Sequence, residues 1–329
     1  MALNVNDSFY QLNRDIVNLD SEETKTARGS RDWLINQLIS LPDKLDDFPI
    51  LYEGKSLKFG SFARNTKIRP LDDIDLMLSF SADGSTYSTI TYGKKYSLFV
   101  PENATNLRKL CNDDGTLNSI KVVNKIVSSL NKIEQYKKSE KHRRQEAATL
   151  NLTSYDWSFD IVPCFYTDTG YYLIPDGNGF WKASDPRIDQ ERVNNLNTKH
   201  DKYLLQLIRT SKYWKHITYM PDIPSYLFEC FLLNFAESET KLQSYVDLNF
   251  ISFLSYLKNR IFYSVPDPKG FQGELNSLSF DEQKRISEKV EACHKIALEA
   301  NTLEVNDKNM EGAINKWRQI FGAKFPEYG

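Results

Sequence analysis

A chain of 329 residues, of which 40% are hydrophobic and 13% aromatic, is long enough to bury a substantial core in one large or two closely packed lobes. Its formal net charge of −2 and its isoelectric point near 6.2 lack the basic excess of a dedicated nucleic-acid-binding protein. The four cysteines are scattered without a CxxC pair or a Cys/His cluster, so the sequence indicates neither a zinc site nor a disulfide framework.

The N-terminal residues resemble no targeting signal. Met1–Asp7 lacks the charged start and apolar run of a signal peptide, and no apolar stretch approaches the length of a membrane span. We therefore expect a cytoplasmic protein that does not associate with a membrane.

Apolar residues recur at helical spacing from about residue 7 to residue 41. Phe9 and Leu12 begin a stripe that Trp33 resumes after the polar stretch Ser21–Arg31. This pattern predicts one or two helices, which we expect to pack across the back of a sheet.

The segment Tyr52–Phe80 is predicted to form a strand, a turn and a second strand. Gly60 and Ser61 are small, so backbone N–H groups and a hydroxyl at this turn can come close to a phosphate. Four basic residues lie near this turn: Lys58, Arg64, Lys67 and Arg69. Either two or three of them contact a triphosphate, or they are solvated charges on a flexible loop.

Two carboxylates in the second strand of this segment point to a metal site. Asp73 and Asp75 are two residues apart, so both project from one strand face, while Ile74, Leu76 and Leu78 project into a core. Neighbouring carboxylates repel each other, and Mg²⁺ bound with nucleotide phosphates relieves the repulsion. The alternative is a solvated turn, which the apolar alternation disfavours.

The middle of the chain alternates short strands with one helix. Ser88–Tyr92 and Tyr96–Val100 are rich in β-branched or aromatic residues and predict strands, and Leu117–Ile133 has the apolar stripe of a helix. The basic run at residues 137–144 is either a solvated helix end or loop, or a nucleic-acid contact.

Asp160 is a third candidate metal ligand. It lies within the apolar run Trp157–Phe165, which is predicted to be a strand beside Ala147–Ser154. A charge in so apolar a strand is costly to bury unless it is paired or bound to a metal, although an edge strand with Asp160 facing water is also possible by the pattern. Together with Asp73 and Asp75, Asp160 describes a two-metal site for phosphoryl transfer.

Helical periodicity dominates the chain from about residue 195. We expect helices at residues 203–214, 227–235, 248–262, 281–304 and 309–321. Because no repeat or low-complexity linker interrupts the chain, we predict two lobes, residues 1–194 and 195–329, that pack directly with the cleft between them.

Three motifs, Gly60-Ser61, Asp73-x-Asp75 and Asp160 in a Phe-Asp-Ile-Val-Pro strand, resemble those of the polymerase-β-type nucleotidyltransferases. More narrowly, the chain resembles the CD-NTases, which are bacterial relatives of the animal cyclic GMP–AMP synthase and make cyclic oligonucleotide signals in anti-phage defence. Further stretches carry this narrower resemblance: Tyr172–Gly177, Gly179–Trp181, Asp185–Arg187, Leu207–Lys215, Pro224–Glu229 and Trp317–Pro326.

The resemblance implies an α+β bilobed fold with a mixed catalytic sheet, an N-terminal spine helix and a C-terminal helical lobe. It also implies that Asp73, Asp75 and Asp160 are catalytic and hold two Mg²⁺ ions, with Mn²⁺ as an alternative metal. Gly60 and Ser61 would then cradle the β- and γ-phosphates of a nucleoside triphosphate.

The resemblance extends to substrate-binding residues in the second lobe. Lys212 and Ser225 match positions where the family binds the donor triphosphate, and Tyr226 matches an aromatic residue that stacks on a base. From the residues alone, Lys212 is equally an exposed helix lysine and Tyr226 a plain core residue.

The expected reaction is attack of a ribose hydroxyl on an α-phosphate, with pyrophosphate released. We expect a cyclic di- or trinucleotide made from ATP and GTP for bacterial anti-phage (CBASS) signalling, and of the two we favour a purine-containing cyclic dinucleotide (c-di-GMP, cGAMP or c-di-AMP). One alternative is a template-independent nucleotidyltransferase that makes linear oligonucleotides or modifies RNA or protein. Another is a catalytically silent nucleotide-binding protein.

Expected partners also follow from the resemblance. No DNA activator is expected, because the zinc-bearing insertion of the animal relative is missing and the isoelectric point is acidic. We expect a monomer whose product is recognised by a downstream effector. The terminal Gly329 permits a regulatory partner at the C-terminus.

Overall fold

Strands β2 and β7 pair in the middle of a mixed nine-stranded sheet in the computed structural model, which describes residues 2–329. The strands are β1 (Leu57–Phe59), β2 (Asp73–Phe80), β3 (Thr86–Thr91), β4 (Lys95–Phe99), β5 (Glu140–Arg144), β6 (Ala147–Asn151), β7 (Ser158–Tyr166), β8 (Tyr172–Pro175) and β9 (Trp181–Ser184). They are ordered β1-β2-β7-β8-β9-β4-β3, with β6 also paired to β7, and β5 paired to β6.

The register between β2 and β7 brings the predicted acidic strands side by side. The two strands are parallel, and Asp75 is the partner of Asp160. Because side chains alternate between the faces of a sheet, the alternate residues Ile74, Leu76 and Leu78 project to the opposite face, where they are buried. The predicted division of β2 into an acidic face and an apolar face is confirmed.

Helices cover one face of the sheet and form the second lobe. They are α1 (Val5–Leu12), α2 (Ser21–Ile39), α3 (Leu41–Lys44), α4 (Gly60–Ala63), α5 (Thr105–Arg108), α6 (Ser119–Leu130), α7 (Pro186–Lys199), α8 (Leu204–Ile217), α9 (Ser225–Ser238), α10 (Val246–Arg260), α11 (Phe280–Val305) and α12 (Met310–Phe321). Within residues 2–329, none combines the length and apolarity that crossing a bilayer requires.

The N-terminal helices divide their contacts between the two lobes. Phe9 on α1 lies 4.9 Å from Trp317, measured between ring centroids, so α1 belongs to the core of the helical lobe. Leu34 and Leu38 on α2 are buried in the core of the sheet lobe. The polar stretch Ser21–Arg31 is itself helical. The expected packing across the back of the sheet is therefore correct for α2 and wrong for α1, whose apolar face meets C-terminal aromatic rings.

The basic run at residues 137–144 ends in an edge strand. Residues Glu140–Arg144 form β5, which pairs antiparallel with β6 through a turn where Gln145 has φ of 50°. The predicted helix end or loop is wrong for these residues, because hydrogen bonding to β6 holds them extended. Contact of this strand with nucleic acid stays a prediction.

The predicted boundary between the lobes falls inside helix α7. Val193 and Leu196, on either side of it, are both buried in the core of the helical lobe. The division into residues 1–194 and 195–329 stays a prediction.

One residue of the helical part is buried in the core of the sheet lobe. Phe271, in the segment between α10 and α11, packs with its ring centroid 5.2 Å from that of Tyr171. Gly93 admits this segment, because a Cβ at that position would lie only 2.0 Å from the Phe271 carbonyl oxygen. The two lobes are therefore joined at a second place, distant in sequence from α7.

The two ends of the described chain lie together. Ala2 pairs in parallel with Tyr328, and its N–H donates to the Glu327 carbonyl at 2.9 Å. Arg318 donates to the Phe325 carbonyl at 2.7 Å, which fixes the segment before this pairing. The last three residues remain exposed.

Candidate active site

Gly60 stands at the junction of β1 and the one-turn helix α4. Its φ is +75°, and a Cβ added there would lie 1.7 Å from Oδ2 of Asp75. Both the backbone conformation and the close approach therefore require glycine. The Ser61 carbonyl accepts hydrogen bonds from the N–H groups of Thr66 at 2.9 Å and Lys67 at 3.2 Å, which hold the following loop against the turn.

The three aspartates predicted to bind metal are brought together. One carboxylate oxygen from each of Asp73, Asp75 and Asp160 lies within 4.8 Å of the others. Thr149 on β6 donates to Oδ1 of Asp160 at 2.6 Å and fixes the direction of that carboxylate. Sequence reasoning did not identify Thr149, although its position opposite Asp160 follows once β6 and β7 are paired in register.

The charge balance of this acidic triad favours a bound cation. Burial and the nearby charges of Asp73 and Asp160 raise the pKa of Asp75 to about 7. Burial also raises the pKa of Asp73, even though Lys67 bonds to both Asp72 and Asp73. Within residues 2–329, no lysine or arginine forms an ion pair with Asp75 or Asp160. An all-oxygen, negatively charged set of ligands fits Mg²⁺ or Mn²⁺.

A cavity of about 520 Å³ opens beside the acidic triad and is rich in cations. Its polar and charged lining consists of Ser61, Thr66, Lys67, Arg69, Asp72, Asp73, Lys212, Lys215, His216, Thr218, Asp222 and Ser225. Positive side chains and hydroxyl groups next to a metal site suit a polyphosphate. The lining combines the turn residue Ser61 with Lys212 and Ser225 from the helical lobe, and binding of a triphosphate by these three residues stays a prediction.

The four basic residues near the turn separate into two pairs. Lys67 and Arg69 line the cavity, and Arg69 also donates to the Asp15 carbonyl at 2.6 Å. By contrast, Lys58 pairs with Asp32, and Arg64 points into a buried ion pair. Lys67 and Arg69 are thus the two of the set that line the cavity, and their contact with a triphosphate stays a prediction.

Lys212 is largely buried, which excludes the interpretation of an exposed helix lysine. Its side chain is 14% exposed, and its ammonium donates to the carbonyl and to Oγ1 of Thr66, both at 3.2 Å, and to Glu229. Burial lowers the pKa of Lys212, and the negative charge of Glu229 opposes that shift.

The surroundings of Tyr226 combine a polar network at its hydroxyl with apolar packing of its ring. Its hydroxyl donates to Asp189 at 2.7 Å and accepts from Lys269 at 2.6 Å, and the Lys269 ammonium lies 3.9 Å from the ring centroid. The half-buried ring packs against the core of the helical lobe. Unlike Ser225, Tyr226 does not line the cavity beside Asp73, and base stacking at this residue stays a prediction.

Sequence comparison identifies named relatives of the chain. It is 46% identical, over 100% of its own length and 99% of the relative, to a probable cyclic nucleotide synthase of Bacillus cereus (strain VD146). It is 26% identical, over 81% of its length and 71% of the relative, to a cyclic AMP-AMP-AMP synthase of Acinetobacter sp. (strain ATCC 27244 / 9458). No protein-family model matches the chain.

Solved structures support the same fold. CdnC of E. coli MS115-1 with ATP superposes with a TM-score of 0.69 at 15% identity, covering 97% of this chain and 98% of that one. The di-nucleotide cyclase DncV of Vibrio cholerae, in complex with ATP and GTP, superposes with a TM-score of 0.68 at 14% identity, covering 99% and 98%. The α+β bilobed nucleotidyltransferase fold is confirmed, and the full-length relative shows that this chain belongs to the cyclic nucleotide synthases, the CD-NTase family of nucleotidyltransferases.

Proposed function

We propose that this enzyme joins nucleoside triphosphates into a purine-containing cyclic dinucleotide by two-metal phosphoryl transfer. The observation that carries the proposal is the position of the triad Asp73, Asp75 and Asp160 beside a cavity lined with cations and hydroxyl groups. A metal–triphosphate complex needs negative ligands at one end and positive ones at the other.

The chain's own residues align the reactants. Gly60 leaves room for a phosphate-binding turn, and Ser61, Lys212 and Ser225 would hold the triphosphate so that its α-phosphate lies near the triad. A ribose hydroxyl then attacks that phosphorus, a new O–P bond forms, and the bond to the leaving pyrophosphate breaks. In this proposal Asp160, which accepts a hydrogen bond from Thr149, helps remove the hydroxyl proton.

Asp73, Asp75 and Asp160 would hold the metal ions. Bound Mg²⁺ would neutralise the phosphate charge and lower the pKa of the attacking hydroxyl. Because the pKa of Asp75 is raised to about 7 by burial and by its acidic neighbours, the triad is poised to exchange a proton for a divalent cation near neutral pH.

ATP and GTP are the proposed substrates. The solved DncV complex contains both triphosphates, whereas the Acinetobacter relative is named for a trinucleotide of AMP, so ring size differs among relatives. We further propose that the product serves CBASS anti-phage signalling in the cytoplasm by activating a separate effector. The proposed enzyme is a monomer, and a regulatory partner acts at its C-terminal segment.

The test is incubation of the purified protein with Mg²⁺ and each labelled nucleoside triphosphate, alone and mixed, followed by phosphatase. A phosphatase-resistant product from the ATP and GTP mixture is expected. A sensitive product would instead identify a transferase that makes linear oligonucleotides. No product from an enzyme that retains triphosphate binding would indicate a silent binding protein.

A double variant tests the role of the triad. Asp73→Asn with Asp75→Asn should abolish product while the protein remains folded, because both carboxylates lie within the acidic triad. Asp156→Asn removes an exposed carboxylate four residues before Asp160 and is the matched control, with full activity expected. Normal turnover by the double variant would overturn the proposed mechanism.

A further inference from the structure

A buried ionic cluster lies under the cationic cavity. Glu229 on α9 is only 3% exposed, and its Oε1 accepts from Nε of Arg64 at 2.8 Å. Its Oε2 accepts from Oγ1 of Thr66 at 3.1 Å and from the Lys212 ammonium. One carboxylate therefore binds two cations and a hydroxyl.

The cluster connects elements of both lobes. Arg64 follows α4, Thr66 lies on the loop after it, Lys212 is on α8 and Glu229 is on α9. Glu229 is four residues after Ser225, so both project from one face of α9, and Ser225 lines the cavity. Lys212 connects the cavity to the buried ionic cluster, because it lines the cavity and also bonds to Glu229.

The charges of the cluster do not cancel. Although burial favours the neutral acid, Lys212 and Arg64 lower the pKa of Glu229 to about 2, so this carboxylate is ionised at every working pH. Two cations against one carboxylate leave one uncompensated positive charge in a largely dry environment. The cavity above, which Lys212 reaches, is where a phosphate can supply the missing negative charge.

We propose that Glu229 is a positioning residue for the triphosphate, because it holds the Lys212 ammonium at the floor of the cavity, while its bonds to Arg64 and Thr66 fix the carboxylate itself. The inference rests on the proposed function, and it assigns to Glu229 no contact with the substrate itself. It predicts that loss of this carboxylate weakens triphosphate binding through Lys212.

The state of Lys212 provides a readout that a purely structural role would not change. The charged groups that face its ammonium are Glu229 from α9, Arg64 from the end of α4 and Lys67 from the following loop. Burial, Arg64 and Lys67 all lower the pKa of Lys212, and Glu229 raises it. Without Glu229, the ammonium would lose its proton more readily, so binding should weaken as the pH rises.

The experiment measures binding of a non-hydrolysable ATP analogue with Mg²⁺ by calorimetry in wild type and Glu229→Gln. At about pH 8.5 the variant should bind at least about tenfold more weakly, and most of that loss should disappear at about pH 6. Glu237→Gln is the matched control, since this carboxylate is also on α9 and also pairs with an arginine, Arg192 of α7, but lies away from the cavity. Its affinity should equal that of wild type at both pH values.

A double-variant cycle with Lys212→Met tests the route of the effect. If Glu229 acts through Lys212, Glu229→Gln should cause little further loss once Lys212 is methionine. Full additivity of the two losses, or wild-type affinity in Glu229→Gln at about pH 8.5, would overturn the inference. If wild type itself fails to bind the analogue, the proposed function fails instead.

A conservative variant keeps the test usable if Glu229→Gln does not fold. Glu229→Asp retains the charge but is one methylene shorter, so it cannot reach Arg64 and Lys212 together as Glu229 does. It should weaken binding by about three- to tenfold, with little dependence on pH, because a negative charge still faces Lys212. Wild-type binding by this variant would contradict a positioning role.

Discussion

Two groups of charged residues in the active site have opposite charge balances. The acidic triad places three carboxylates within 4.8 Å, and the pKa of Asp75 rises to about 7. In the second group, Glu229 is surrounded by Lys212 and Arg64, and its pKa falls to about 2. The same kind of side chain is thus held ready for a proton or metal in one place and permanently charged in the other.

This difference explains how the proposed metal–triphosphate complex could be bound by a protein without a strongly charged surface. The whole chain has a formal charge of −2, yet the site contains an acidic end at Asp73 and a basic end at Lys212, both on one cavity. Local arrangement of charge, and not the net charge of the chain, determines what the cleft attracts.

Disruption of the acidic end should have the largest effect. In Gly60→Ala the new Cβ would fall 1.7 Å from Oδ2 of Asp75, so either the turn or the carboxylate must move. Because a displacement of about 1 Å at a reacting centre costs about a hundredfold in rate, we expect product formation to fall at least that far. Initial rates of pyrophosphate release measure the loss.

A second glycine, Gly54, provides a control that distinguishes the steric clash at Gly60 from backbone strain. Gly54 also has positive φ, at +70°, but no neighbouring atom lies within 4 Å of its added Cβ. Gly54→Ala should therefore lower stability slightly and leave the rate unchanged. Equal losses of activity in the two variants would show that the approach of Asp75 to Gly60 is unimportant.

Neutralising Asp75 should reduce the repulsion within the acidic triad, and with it the difference in charge balance between the two groups. The metal-free protein should therefore become more stable. The pKa of Asp75 is about 7 in the folded state and 3.8 as its ordinary value, so the folded protein holds more protons between these values. Stability of the wild type should therefore fall as the pH rises from about 4 to about 7, and Asp75→Asn should escape that loss. With allowance for solvent screening, the expected gain above pH 7 is about 2 kcal/mol.

Thermal unfolding in a chelator, at about pH 5 and about pH 8, checks this prediction. The stability difference between Asp75→Asn and wild type should widen at the higher pH, and added Mg²⁺ should stabilise the wild type more than the variant. Asp156→Asn should track the wild type at both pH values. Parallel curves for Asp75→Asn would show that the triad carries no uncompensated repulsion.

The smallest expected effect concerns Tyr226, which lies outside both charge groups. If its ring stacks on a base, Tyr226→Ala should raise KM for nucleotide about tenfold, since stacking contributes about 1–3 kcal/mol. Tyr226→Phe loses the bonds to Asp189 and Lys269. Because it keeps the ring that would stack on the base, it should change KM little. Steady-state kinetics with each nucleotide measure KM for both variants. An equal rise in KM in both would assign the role to the hydroxyl. An unchanged KM in both would leave Tyr226 a core residue.

Part of the acidic triad could be predicted because its signal is local: Asp73 and Asp75 are two apart on an apolar strand, so period-two geometry places both on one face. Asp160 interrupts another apolar strand, and it joins them through the parallel pairing of β2 with β7, which the family resemblance implied and strand periodicity alone does not give. The helical faces of the second lobe could also be predicted from the sequence, because residues such as Leu207 and Trp214 follow helical spacing. Both are buried in the structure.

What the sequence did not indicate depends on contacts between distant segments. Arg64 and Glu229 are 165 residues apart and Thr66 and Glu229 are 163 apart, and no periodicity links them. The aromatic face of α1 could have matched either lobe, and only the position of Trp317 decides between them. The strand β5 was missed because its charged residues are extended by pairing with β6, and not by their own preference.

The Phe271 side chain opposes a wide separation of the two lobes. A wide swing of the lobes about α7 would pull this ring out of the sheet core and expose it to water, at a cost of about 1.5–3 kcal/mol. Small shifts of the loop bearing Lys67 and Arg69 require no such exposure. For the proposed substrates, movement of that rim should therefore be favoured over a wide swing of the lobes, because it leaves the Phe271 ring buried.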